Sequence, residues 1–142
     1  MHSKRTASAI SKEFLNRVVE FHGHLGPFLV LGVKAGLLAN SLLGKDCFEM
    51  KAIVVTKPFP PTSCFVDGVQ FVTGCTMGKR NIRLRRGKST SAVFLKGGKT
   101  IRLRVKDKVL ESVRRIPSED ESDKESIRLL NSPASELFEL EK

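Results

Sequence analysis

Apolar residues recur at helical spacing from residue 7 to residue 20. Ile10, Phe14 and Val18 stand four positions apart, and Leu15 and Val19 widen the same face. This predicts an amphipathic helix, with Phe21 continuing its packing contact. A second helix starts near Pro27 and ends around Leu43 and Gly44. Its Leu, Val and Ala residues cover more than one stripe, so it is central to the fold or buried between subunits. Gly32 and Gly36, one turn apart, offer a close packing surface to another element. Residues 48–57 read as a strand, strongest at Ile53-Val54-Val55-Thr56. The prolines at 58, 60 and 61 take the chain out of it. Thr62 or Ser63 then caps a short helix that begins near Cys64, carries Asp67 in its first turn and breaks at Gly74.

Period-two patterns follow. Residues 81–85, 91–95 and 100–105 are candidate strands, the first two joined around Gly87-Lys88 and the last two by the Gly97-Gly98-Lys99 turn. Ile101, Leu103 and Val105 alternate with basic residues, so one side of that strand is buried. Ser118 to Asp123 is either a connector or the start of a helix. Ile127, Leu129 and Leu130 then bind the main body, and Ser132 to Phe138 starts a final short helix. The predicted fold is α+β, with N-terminal helices on a mostly antiparallel sheet and a short C-terminal helical segment. Residues 1–142 form one domain, within which 118–142 is an acidic docking tail.

Composition supports this plan. The chain of 142 residues is 40% hydrophobic and 28% charged, which suits a globular domain with a real core. No secretory signal or membrane span is evident, and Lys34 interrupts the apolar run after Pro27, so a cytoplasmic protein is expected. Three cysteines do not make a disulfide framework and read as reduced thiols. The net charge of +10 is unevenly placed: residues 79–115 hold fourteen Lys or Arg and two acids, whereas 116–142 hold eight acids and three bases. The basic block either attracts an anion or is a solvated face compensated by the acidic tail. Aromatics are 6%, without Trp or Tyr, so nucleic acid is a disfavoured partner.

Candidate chemistry gathers at Phe21-His22-Gly23-His24-Leu25-Gly26-Pro27. Imidazole binds metals and moves protons near neutral pH. A loop would let both rings face one centre, whereas helical geometry would separate them; the alternative is that the pair only supports the turn. Cys64, at a helix N-terminus, sits where the local field favours the thiolate. Cys75 lies in a glycine-flanked loop eleven residues on. A continuous helix would hold the two thiols about 16 Å apart, too far to share one ion. Cys64 is therefore the preferred ligand and Cys75 a pocket residue, with buried packing the competing role for each. Lys79 either neutralises an anionic group or flanks the sheet in solvent.

These blocks together resemble the FmdE-like family, named for the E component of formylmethanofuran dehydrogenase. The resemblance runs through residues 21–27, Gly32 to Ala35, Cys64 to Asn81, the basic strands and Ser132 to Phe138. It implies an α+β core, often a homodimer, with a metal-associated cleft. Its histidine pair falls on His22 and His24. Its cysteine followed by Asp-x-x-Gln-x-x-x-Gly-Cys-Thr falls on Cys64, Asp67, Gln70, Gly74, Cys75 and Thr76, and its Gly-Lys-x-Asn on Gly78, Lys79 and Asn81. Many relatives carry cysteine where this chain has Gly26, and the cysteine-rich zinc tail of some is missing here.

The resulting expectation is a metal-associated pocket protein of one-carbon metabolism. Zinc is held by His22, His24 and Cys64, while Asp67, Cys75 and Lys79 do the chemistry. The substrate is a small anion or one-carbon carrier, and a dehydrogenase complex is a candidate partner. No iron–sulfur or dinucleotide signature marks the chain as a complete dehydrogenase. The competing reading is a metal-independent homo-oligomeric binding or assembly protein.

Overall fold

The computed structural model describes residues 10–116 and 118–142. Helix α1 spans Lys12–His22 and α2 spans Pro27–Leu43. Strand β1 (Lys51–Thr56) leads into α3 (Cys64–Thr73), and β2 (Ile82–Arg86), β3 (Ser91–Lys96) and β4 (Lys99–Val105) follow. The chain continues through α4 (Asp107–Arg114), α5 (Glu119–Leu130), α6 (Ala134–Leu137) and β5 (Phe138–Glu141). The sheet order is β2-β1-β3-β4-β5. β1 and β2 are parallel, because α3 carries the chain back between them, and the remaining pairs are antiparallel.

Alternation divides the sheet into two faces. Ala52, Val54, Ala92, Phe94, Ile101 and Leu103 join one core with Val30, Leu31, Phe65 and Val69 of α2 and α3. The opposite face carries Arg83 beside Ile53, and Arg102 beside Val93 and Glu141.

Helix α2 is the hub. Leu29, Val30, Leu31 and Ala35 have no exposed surface. Its two glycines serve a contact within the chain. A Cβ on Gly32 would lie 2.1 Å from the Phe65 carbonyl oxygen, and one on Gly68 would lie 2.4 Å from that of Leu29. Helices α2 and α3 thus meet backbone to backbone, and the close packing face that Gly32 and Gly36 offer is filled by α3 rather than by a second copy. Lys34 is buried, and its Nζ donates to the Leu130 carbonyl (3.0 Å) at the end of α5. Burial pushes its pKa down.

Several expectations shift. The first helix starts at Lys12, where Ser11 accepts from the Phe14 amide (3.0 Å); residues 7–9 lie outside the described residues. Phe48 is not in the strand but in an exposed turn. Ile127 is 41% exposed, and Ser126 is buried instead, one position away on α5. Helix α4 and strand β5 are additional elements. Near the C-terminus, Glu139 pairs with Arg104 (2.6 Å) on the β4–β5 ladder. Among the described residues no single helix is long and apolar enough to cross a membrane.

Candidate functional site

The two histidines stand on different kinds of backbone. His22 closes the last turn of α1, not a loop as expected. Gly23 follows with φ 116°, a conformation that costs a side chain dearly, and its amide donates to the Val19 carbonyl (2.6 Å). This αL cap reverses the chain within one residue. The His24 ring consequently lies 4.8 Å from that of His22. The glycine overcomes the divergence that a continued helix would impose.

His22 Nδ1 donates to Asp67 Oδ2 (2.6 Å), because a carboxylate only accepts. Asp67 is held in turn by Gln70 Nε2, which donates to its other oxygen (3.4 Å). In the neutral ring, this pairing leaves Nε2 of His22 as the lone pair. That atom is buried and has no hydrogen-bond partner among the described residues, on a side chain only 9% exposed. His24 Nδ1 donates to the Leu25 carbonyl (3.1 Å), which likewise frees its Nε2.

A cleft of about 400 Å³ opens here. His22, His24 and Cys64 line it together with Gly26, Pro27, Phe28 and Leu29 at the start of α2, Pro61 from the proline turn, and Asp120, Ser122 and Asp123 of α5. A Cβ on Gly26 would touch the His24 ring at 3.4 Å, so a side chain there would stand beside the histidine pair. The cleft therefore brings His22, His24, Cys64 and, behind His22, Asp67 together. Asp120 and Asp123 were not legible as site residues, since their place depends on how α5 docks. Gln70 carried a signal, its place three residues after Asp67 on the same helix face.

Cys64 departs from its expected electrostatics. Burial pushes its thiol pKa up, and the nearby Asp67 charge adds to the rise. The first amides of α3 are already engaged and do not donate to the thiol. Those of Cys64, Phe65 and Val66 donate to the carbonyls of Pro61, Thr62 and Ser63 in tight turns. Ser63 occupies the cap position without a side-chain capping bond.

Cys75 and Lys79 lie at the other end of α3. Cys75 is fully buried, its amide donating to Thr73 Oγ1 (3.1 Å) and its thiol to the Met50 carbonyl (3.4 Å). Burial pushes its pKa up. Helix α3 ends at Thr73, about 13.5 Å along the axis from Cys64, and Cys75 follows the left-handed Gly74 cap beyond that end. Lys79 donates to Thr76 Oγ1 (3.0 Å) and stands over the Phe48 ring at 5.5 Å. Neither residue lines the cleft. Asn81 braces this end by accepting from the Thr76 amide (2.8 Å) and donating to the Cys47 carbonyl (2.8 Å).

The donor set fits a metal only in part. A histidine held by a carboxylate, with its other nitrogen unpartnered, is the arrangement that metal-binding histidines use. Among the described residues, however, no three His, Cys, Asp or Glu side chains are grouped closely enough to hold an ion.

A probable S-adenosyl-L-methionine-binding protein of Archaeoglobus fulgidus is 36% identical over 121 residues, which is 82% of this chain. The chain spans about a third of that relative's length, 31%. A tungsten formylmethanofuran dehydrogenase FmdE-like protein from Syntrophus aciditrophicus shares the fold, with a TM-score of 0.60 over 92% of this chain and 70% of that one, at 18% identity. The model of the FmdE family, described by the molybdenum formylmethanofuran dehydrogenase operon, matches residues 21–139, a span that runs from the histidine turn to the last strand; the chain belongs to the FmdE family.

Proposed function

We propose that this chain is a binding domain with an accessory role in one-carbon metabolism, and that the cleft over His22 receives its ligand. The observation that carries the reading is the buried, unpartnered Nε2 of His22. Leaving a buried acceptor unsatisfied costs about 1–3 kcal/mol, which a ligand donor in the cleft would recover. Asp120 and Asp123 on the rim, with Lys79 far away, favour a neutral or cationic ligand over a small anion. The adenosyl sulfonium named for the Archaeoglobus fulgidus relative has that charge, which makes S-adenosylmethionine the first ligand to test.

A second reading, zinc binding, is favoured by the Asp67–His22 pair. His22 and His24 would hold the ion, with Cys64 after loss of its proton, a loss that the Asp67 charge opposes. Bound zinc would polarise a ligand oxygen. Isothermal titration of metal-free protein with S-adenosylmethionine and, separately, with zinc tests both readings. The first expects saturable binding of the organic ligand without metal, weakened about tenfold or more by His22→Ala as a buried hydrogen bond is lost. Binding that needs zinc moves the assignment to the second reading. Organic-ligand binding that ignores His22→Ala removes the first. The reading includes a homodimer, supported by the family resemblance; sedimentation that returns a monomer at every concentration would remove that part.

A further inference from the structure

The tetrapeptide Ile-Arg-Leu-Arg occurs twice, at residues 82–85 and 101–104. Both copies form strands in the same orientation. Ile82 lies beside Ala52 and Ile101 beside Phe94 on the helix-covered face, so the arginines of both lie on the opposite face. Their outer neighbours differ. The β4 copy is covered by β5: Leu103 stands beside Leu140, and Arg104 Nη2 donates to Glu139 Oε1 (2.6 Å). The β2 copy is the last strand of the sheet. Among the described residues, no acidic side chain pairs with Arg80, Arg83, Arg85 or Arg86.

The free edge is equipped for a strand. Asn81 O accepts from the Ala52 amide and the Gly87 amide donates to Thr56 O (both 3.0 Å), so odd-numbered backbone groups turn toward β1. Alternation leaves the N–H and C=O groups of Ile82, Leu84 and Arg86 directed outward. A groove of about 530 Å³ runs beside β2, between Met77, Arg80 and Leu84. Leu84 is 44% and Met77 73% exposed. An incoming strand would set apolar residues beside Leu84 and acidic ones beside Arg83 and Arg85, as β5 does on β4.

We propose that β2 is a docking edge for an extended segment of a partner protein in which apolar and acidic residues alternate. Backbone bonds would supply the affinity, and the Arg-Leu-Arg row the specificity. A second copy fits poorly. Two β2 strands would oppose their arginine rows, and β2 on another copy's β5 would give a head-to-tail contact rather than a self-complementary pair. Nucleic acid would satisfy the arginines but not the outward backbone groups or the apolar Leu84 and Met77.

The probe is a fluorescent peptide of residues 134–142, Ala-Ser-Glu-Leu-Phe-Glu-Leu-Glu-Lys, titrated into the full chain by anisotropy. Saturable binding is expected. It should weaken about tenfold in the exposed Arg83→Glu/Arg85→Glu variant, as expected when cross-strand charge pairs become like-charged. A peptide with both β5 glutamates of that stretch changed, Glu139→Lys/Glu141→Lys, should restore binding to the variant. Slowed amide exchange at Leu84 and Arg86 would locate the peptide on β2. Four outcomes overturn the proposal: binding indifferent to the arginine variant, exchange changes confined to β4, an oligonucleotide that binds more tightly at the same arginines, or native self-association that the variant abolishes.

Discussion

Helix α3 carries a cysteine at each end, and the two ends have opposite fates. At the first, Cys64 lines a cleft, Asp67 presents a carboxylate to His22, and an imidazole nitrogen lacks a partner. At the second, Cys75 is sealed, and Thr73, Met50 and Asn81 meet the polar groups around it. The same short helix is thus soft chemistry at its start and a structural rivet at its end. A thiol beside a histidine is therefore worth reading for function only after its solvent access is known. Between the two ends, Gly68 of α3 meets Gly32 of α2, and this close approach fixes the two helices together.

The largest expected effect comes from disturbing that fixing. Gly32→Ala sets a Cβ 2.1 Å from the Phe65 carbonyl oxygen, and backbone must move. We expect a loss of about 3 kcal/mol, at the upper end of overpacking costs, in denaturant unfolding. A stability within error of wild type would mean that α3 is free to slide, and the two ends would not be independent. Next, Asn81→Ala strips the Thr76 amide and the Cys47 carbonyl of their partner at the sealed end. It should cost about 2 kcal/mol in the same assay while leaving ligand binding at the cleft unchanged.

Asp67→Asn acts on the open end with the reverse signature. The amide still occupies the place but no longer holds the His22 tautomer. Ligand affinity should fall about tenfold, and stability should move by less than about 1 kcal/mol. A large stability loss here would blur the comparison. The smallest effect is chemical. In the folded chain Cys64 should be alkylated and Cys75 spared, with the Cys64 rate still climbing as pH passes the ordinary thiol range, since burial and Asp67 hold its proton. Both thiols have raised pKa values, so the folded state keeps protons that the unfolded chain has released. Stability from this source is present at neutral pH and falls as pH rises through the ordinary thiol range. Equal alkylation of the two cysteines would remove the distinction.

Much of the fold was legible because its signals are local. Helical spacing marked α1 and α2, and Gly97-Gly98, both with positive φ, marked the β3–β4 turn. What failed was non-local. Residues 132–138 read as the start of a helix, yet only Ala134–Leu137 is helical, and from Phe138 the chain pairs with β4 as β5. The parallel β1–β2 pairing follows from the path of α3, which no strand pattern records. At the site, the histidine pair stood out by residue type, and Asp67 by its helix position. Cys75 and Lys79 sit beside the same motif in sequence, yet ten residues of rigid helix carry them out of reach. Asp120 and Asp123 reach the cleft only through tertiary docking.

The buried Nζ of Lys34 gives the cleft a gauge. Its bond to the Leu130 carbonyl fixes where α5 ends, and the first turn of α2 supplies Pro27, Phe28 and Leu29 to the cleft floor. Asp123 lies seven residues before Leu130, about 10.5 Å back along α5. The distance between floor and acidic wall is therefore measured out by two rigid rods pinned at one point. Adding a single residue between 123 and 130 would turn Asp120 and Asp123 by about 100° and swing them off the wall, with the pin still in place. The width and charge of the cleft are thus written in the length of a helix whose fixed end lies outside it.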